Sequence, residues 1–142
     1  MNYNTMEAGP EMDRLIAEKV MGWSIYHYDK GERGSEYWSL LDANCNAVDS
    51  GSPTFQTEFG SEADAFAMFQ PSLYLIDAWQ VVEHMTQTTK EEWEFRVTTT
   101  LHVAIFEFEG GRDRPWRPGQ YVGEALSLPL AICRAALVAV AK

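Results

Sequence analysis

Histidine and cysteine are scarce here, at three and two among 142 residues. Cys45 and Cys133 stand far apart, one in a turn-like stretch and one in a helix-like one. That is no disulfide framework, and two reduced thiols are expected. His27, His84 and His102 have no second His or Cys at ligand spacing, and neither HExxH nor CxxC occurs. No metal site and no cofactor are therefore expected. Cations are few as well: 11 Lys and Arg against 21 Asp and Glu give a net charge of −10. A surface of that sign repels phosphate chains and argues against binding nucleic acid polymers. The acids are scattered along the chain, as at Glu7, Glu18, Glu58, Asp64 and Glu94, without a ladder at duplex-phosphate spacing, which argues against mimicry of DNA. Long apolar runs are missing too. The N-terminus has no basic start with an apolar stretch behind it, and Arg134 interrupts the apolar C-terminal run. No signal peptide and no bilayer-spanning helix are expected. Neither a G-x-S-x-G elbow nor a P-loop occurs, so no catalytic residue is assigned and the chain reads as non-enzymatic.

What is present is a folded composition, 46% hydrophobic and 13% aromatic. The length suits one domain over 1–142 with a real core. Residues 1–8 are polar and expected to fray, and 49–69 reads as a loop-rich insert. Gly9-Pro10 opens a helix whose stripe is Met12, Leu15, Ile16 and Val20, and Gly22 stands where a left-handed C-terminal cap belongs. Residues 23–28 and 36–41 form a hairpin, with Tyr26 and Tyr28 on one face, expected to be core. Residues 62–69 supply a short helical stretch that packs Phe66 and Phe69.

The stretch 71–85 reads as the central core helix. Ser72 is its expected N-cap, and Leu75, Ala78, Trp79, Val82 and Met85 are its buried face. In 93–108, alternation gives way to apolar residues of both parities, so two strands with a reversal near Thr98–Thr100 are expected. A last strand covers 120–124. The final helix starts at Ser127 with Pro129 in its first turn, carries Leu130, Cys133, Leu137 and Val140, and uses alanines for close approach to the sheet. The order α-ββ-loop-α-βββ-α predicts an α+β fold, a helix–sheet–helix sandwich with a mostly antiparallel sheet of about five strands and three helices.

One loop concentrates chemistry. Arg112, Arg114 and Arg117 gather around Trp116, with Tyr121 just beyond. Arginine forks grip phosphate and aromatic faces stack bases, so these five residues are the candidate ligand-binding set. The plainer reading is a long hairpin loop with solvated arginines.

Three separated stretches, Asp13–Trp23, Pro71-Ser72 with Ala78–Glu83, and Leu130–Leu137, resemble the phage ABA-sandwich domain family in order and spacing. The resemblance implies a helix–sheet–helix sandwich acting in the cytoplasm of the infected bacterial host, and no shared catalytic residue. With the arginine loop it leads to a specific expectation: a counter-defence sponge that sequesters a nucleotide-derived immune signal without cleaving it. The alternatives are an acidic module that binds and inhibits a host defence protein, or an enzyme that degrades the signal. A homo-oligomer is compatible with each, because uncovered sheet edges invite pairing.

Overall fold

The computed structural model describes residues 2–29, 34–48, 56–88, 93–98, 103–108, 119–125 and 127–141. Pro10 occupies the first turn of α1 (Pro10–Leu15), where its missing N–H leaves no hydrogen bond unmade. The helix continues as a π-helical stretch, Ile16–Val20. It stops as expected. Gly22 takes a left-handed φ of +73°, and the Trp23 N–H reaches back to the Ala17 carbonyl at 2.8 Å. That bond is one residue longer than the six-to-one bond of an α-helical glycine cap, matching the wider π-helical turn before it.

The hairpin follows as β1 (Ser24–Tyr28) and β2 (Tyr37–Leu41), antiparallel in the register Tyr28 to Tyr37. Its aromatic face is not core: Tyr26 is 43% exposed, while Tyr28 stacks on Tyr37 at 5.0 Å. The first helix does not cover this face, and the tyrosines cover one another. The far edge of β2 pairs with an isolated residue, Phe59, through Trp38. Ser61 then N-caps α2 (Glu62–Ala67), which buries Phe66, and Phe69 is buried just beyond it.

Next come α3 (Leu75–Glu83), a second π-helical stretch at His84–Thr88, β3 (Trp93–Thr98), β4 (Val103–Phe108), β5 (Gly119–Glu124) and α4 (Leu128–Val140). Thr98 of β3 pairs with Val103 of β4, so the chain reverses between them, close to where the change of pattern put it. The fold is α+β and antiparallel throughout the described strands. Among the described residues the expected single sheet of about five strands with three helices is not seen. The strands divide into the β1–β2 hairpin and a β3–β4–β5 sheet, and the described residues hold four α-helices. Phe59 bridges to the edge of β2 at Trp38, and α2 packs near β2.

The centre of the molecule is α4 rather than α3. Ser127 caps α4 as expected. Eight of its residues, from Leu130 to Ala139, are buried. A helix that is apolar almost all round belongs inside. It lies against β4 and β5 on one side and against α3 and the Ile16–Val20 stretch elsewhere. The approach to β5 is close: a Cβ on Gly123 would sit 2.2 Å from the Ala131 carbonyl oxygen and 2.4 Å from the Ala135 nitrogen. Arg134 leaves this helix to donate to the Met6 carbonyl at 2.8 and 3.1 Å and to the Glu124 carbonyl at 2.6 Å. Met6, within the stretch 1–8 expected to fray, thus bonds to Arg134, and a short 3-10 turn precedes it at Tyr3–Thr5.

Candidate functional site

Helix α3 sits differently from its expected orientation, and this produces the most conspicuous surface of the molecule. Its buried residues are Ala78, Val81 and Val82, followed by Met85. Trp79, expected at the middle of the interior face, is 48% exposed, and Leu75 is 50% exposed. At about 100° per residue the observed inward face is turned by roughly 45° from the expected one. The physical reason lies in the neighbour. Helix α3 packs on α4, whose small alanine side chains leave room for a close partner. Ala78 and Val81 permit that approach, and an indole does not.

Trp79 is held in place on the surface. Its ring meets Phe95 of β3 edge to face, with centroids 5.9 Å apart and planes at 80°.

The start of the helix also differs. Ser72 does not cap α3. The residue at the cap position is Tyr74, in extended backbone with no side-chain cap. Ser72 is buried, its hydroxyl accepting from the Gly9 N–H at 3.0 Å and its N–H donating to Asp13 at 2.8 Å. Burial raises the Asp13 pKa above the ordinary carboxylate value, and the bonds from Ser72 work against that rise. Asp77 accepts from the Gln70 N–H at 2.9 Å. Two acids thus staple the 70–74 turn to α1 and to the first turn of α3. With its polar groups spoken for, this turn presents its apolar side chains outwards. Leu73, Tyr74 and Ile76 are 51%, 56% and 77% exposed. Leu75, Ile76 and Trp79 line a shallow depression of about 460 Å³ with Gln80 and Glu83.

A deeper cleft of about 730 Å³ begins at Leu73 and runs between α1 and α2, past Pro10, Phe66 and Gln70. Its walls carry Asp13, Arg14, Glu62 and Asp64. Arg14 lies 4.8 Å over the Phe66 ring and pairs with Glu18 at 2.9 Å and Glu62 at 2.8 Å. Its charge is already answered by two carboxylates, and the remaining acids give the cleft a negative character. Such a cleft disfavours phosphate and suits a cationic or apolar group.

Arg112, Arg114, Trp116 and Arg117 lie outside the described residues. Tyr121 is on β5 at the register position opposite Phe106 of β4. The exposed apolar face was missed, although a signal for it existed. Leu73-Tyr74-Leu75-Ile76 is four apolar residues in a row, and a helix start cannot turn all of them inwards.

Fold and surface together define a small antiparallel α+β domain built on one buried helix, with an open apolar face beside an acidic cleft. The sequence profile of the phage ABA sandwich domain matches residues 14–137, most of the chain, and the chain belongs to that family. Comparison with characterised proteins and with solved structures gave no match. No described helix is long and apolar enough to cross a membrane.

Proposed function

We propose that this phage protein is a non-enzymatic interaction module that docks a basic, amphipathic segment of a host protein on the face formed by Leu73–Ile76 and Trp79. The observation that carries this reading is the exposure of those five large apolar residues, with Ile76 open over three quarters of its surface at 77%. Contiguous apolar surface of this kind marks interaction sites in soluble proteins. The rim supplies the partner's sign. Glu83 borders the depression, Glu62 and Asp64 border the adjoining cleft, and the whole chain carries −10. A second copy of so acidic a chain is repelled, whereas a segment with Lys or Arg beside its apolar residues is attracted. The setting that fits a phage chain is the cytoplasm of the infected bacterium, with a host defence protein as target.

Sequestration of a nucleotide signal keeps only Arg112, Arg114, Trp116, Arg117 and Tyr121 as its basis, since the acidic cleft suits an anion poorly. Isothermal titration with cyclic dinucleotides is the measurement that would restore it.

The test of the docking reading is site-specific photo-crosslinking in infected cells. A benzoylphenylalanine in place of Ile76 is expected to capture one discrete host protein, and the same group in place of Asn44, an exposed turn residue, is not. Ile76→Glu is expected to abolish capture of that protein by the purified chain while changing stability by no more than about 0.5 kcal/mol, as for other surface substitutions. Equal labelling from both positions, or adducts with a second copy alone, counts against this function.

A further inference from the structure

We propose that His27, Asp29 and Glu36, at the connected end of the β1–β2 hairpin, form a binding site for a divalent transition-metal ion such as zinc. The hairpin register brings the three together. Tyr28 pairs with Tyr37, so one further step sets Asp29 opposite Glu36. Cross-strand partners and alternate residues share a face, which places His27, Asp29, Glu36 and Trp38 on the same side. One ligand atom from each of His27, Asp29 and Glu36 lies within 4.8 Å of the other two.

Two features prepare this site. The His27 ring lies flat on Trp38, with centroids 4.2 Å apart and planes 5° from parallel, and its Nε2 is aimed at Glu36 Oε1 at 2.7 Å. The imidazole is thereby oriented before any ion arrives. Secondly, two carboxylates facing each other across a hairpin repel, and a dication between them removes that repulsion.

The donor set of one imidazole and two carboxylates suits zinc and its first-row neighbours better than magnesium or calcium, which take oxygen alone. Ligands at about 2.1 Å on a tetrahedral ion stand about 3.4 Å apart. The Asp29 carboxylate therefore closes on the other two by an ångström or so, while His27 Nε2 and Glu36 Oε1 part from 2.7 Å and exchange their hydrogen bond for bonds to the ion. Three protein ligands leave a position for water. The sequence hides the site because its ligands are 27, 29 and 36, with the spacing set by the hairpin register and no second His or Cys among them.

The experiment is calorimetric titration of zinc chloride into the full chain carrying Cys45→Ser, which removes an exposed thiol that would compete. One ion per chain is expected. Asp29→Asn, Glu36→Gln and His27→Gln are each expected to weaken binding by at least about tenfold, the loss that even supporting partners of a metal ligand produce. Copper(II) supplies a second readout. It is expected to quench part of the tryptophan emission, and Trp38→Phe is expected to remove that part. No binding of zinc by the folded chain, or binding unchanged in both His27→Gln and Glu36→Gln, overturns the proposal.

Discussion

Single residues set how this molecule responds to its solvent, and His84 does so most clearly. It begins the second π-helical stretch, half-buried, and its ring donates to the backbone carbonyl of Val20, where the first π-helical stretch ends. Burial pushes its pKa below the ordinary histidine value, and the bond to Val20 opposes that only in part. The folded chain therefore holds His84 neutral when the unfolded chain has begun to protonate. Above about pH 6.5 neither state carries the proton and the contribution to stability is complete. As the pH falls through 6.5 towards the folded pKa, the unfolded state gains protons first, and stability is lost. His84→Gln keeps a donor for Val20 and removes the titration. Urea unfolding at pH 7.5 and 5.5 is expected to show a larger loss of stability for the wild type than for this variant. Equal losses would mean that His84 does not titrate differently in the two states.

At the scale of elements, the contact between α4 and β5 sets the thickness of the main layer pair. Glycine at 123 is required by close approach: any Cβ there meets the α4 backbone at 2.2 Å, and a backbone cannot rotate out of the way as a side chain can. Gly123→Ala is expected to cost about 3 kcal/mol or more, at the upper end of overpacking penalties, read as a lowered urea midpoint. A cost under about 0.5 kcal/mol would mean that α4 does not rest on β5 as described.

Much of this element was legible beforehand. Ser127 and Pro129 announced its start, and the run of alanines announced a close approach. What was misjudged was rank: the stripe of α3 looked more central because Trp79 stood in it. Both candidate faces of α3 are apolar, Leu75-Ala78-Trp79-Val82-Met85 and Ala78-Val81-Val82-Met85. Periodicity cannot choose between them, because the choice is made by the small side chains that α4 can accept. Ser72 shows the same limit, being a good cap by type whose hydroxyl is claimed by Gly9, 63 positions away in the chain. The His27–Asp29–Glu36 group was out of reach for a related reason. It exists only once the hairpin register is known.

The whole molecule combines a well-filled interior with an incompletely covered exterior. Along α4 the interior positions are taken by small and medium side chains such as Ala131, Ala135, Cys133 and Ile132, all buried. The large apolar groups at 73–76 and 79 are left outside. The Cys133 thiol sits within that interior, its pKa driven well up by burial, and it behaves as a small hydrophobe. Leaving five large apolar side chains in water forgoes several kcal/mol of burial, at about 25 cal/mol per Å² of apolar area. A protein partner that covers them recovers this free energy on binding.

Hydroxyl-radical footprinting read residue by residue, on the isolated chain and on its complex with the crosslinked host protein, tests this most directly. Heavy labelling of Tyr74, Ile76 and Trp79 is expected in the chain alone, near the level of Tyr26, with protection of all three in the complex while Tyr26 stays labelled. Weak labelling of Ile76 and Trp79 in the isolated chain would contradict it, because that face would then be covered already by the protein itself or by a second copy.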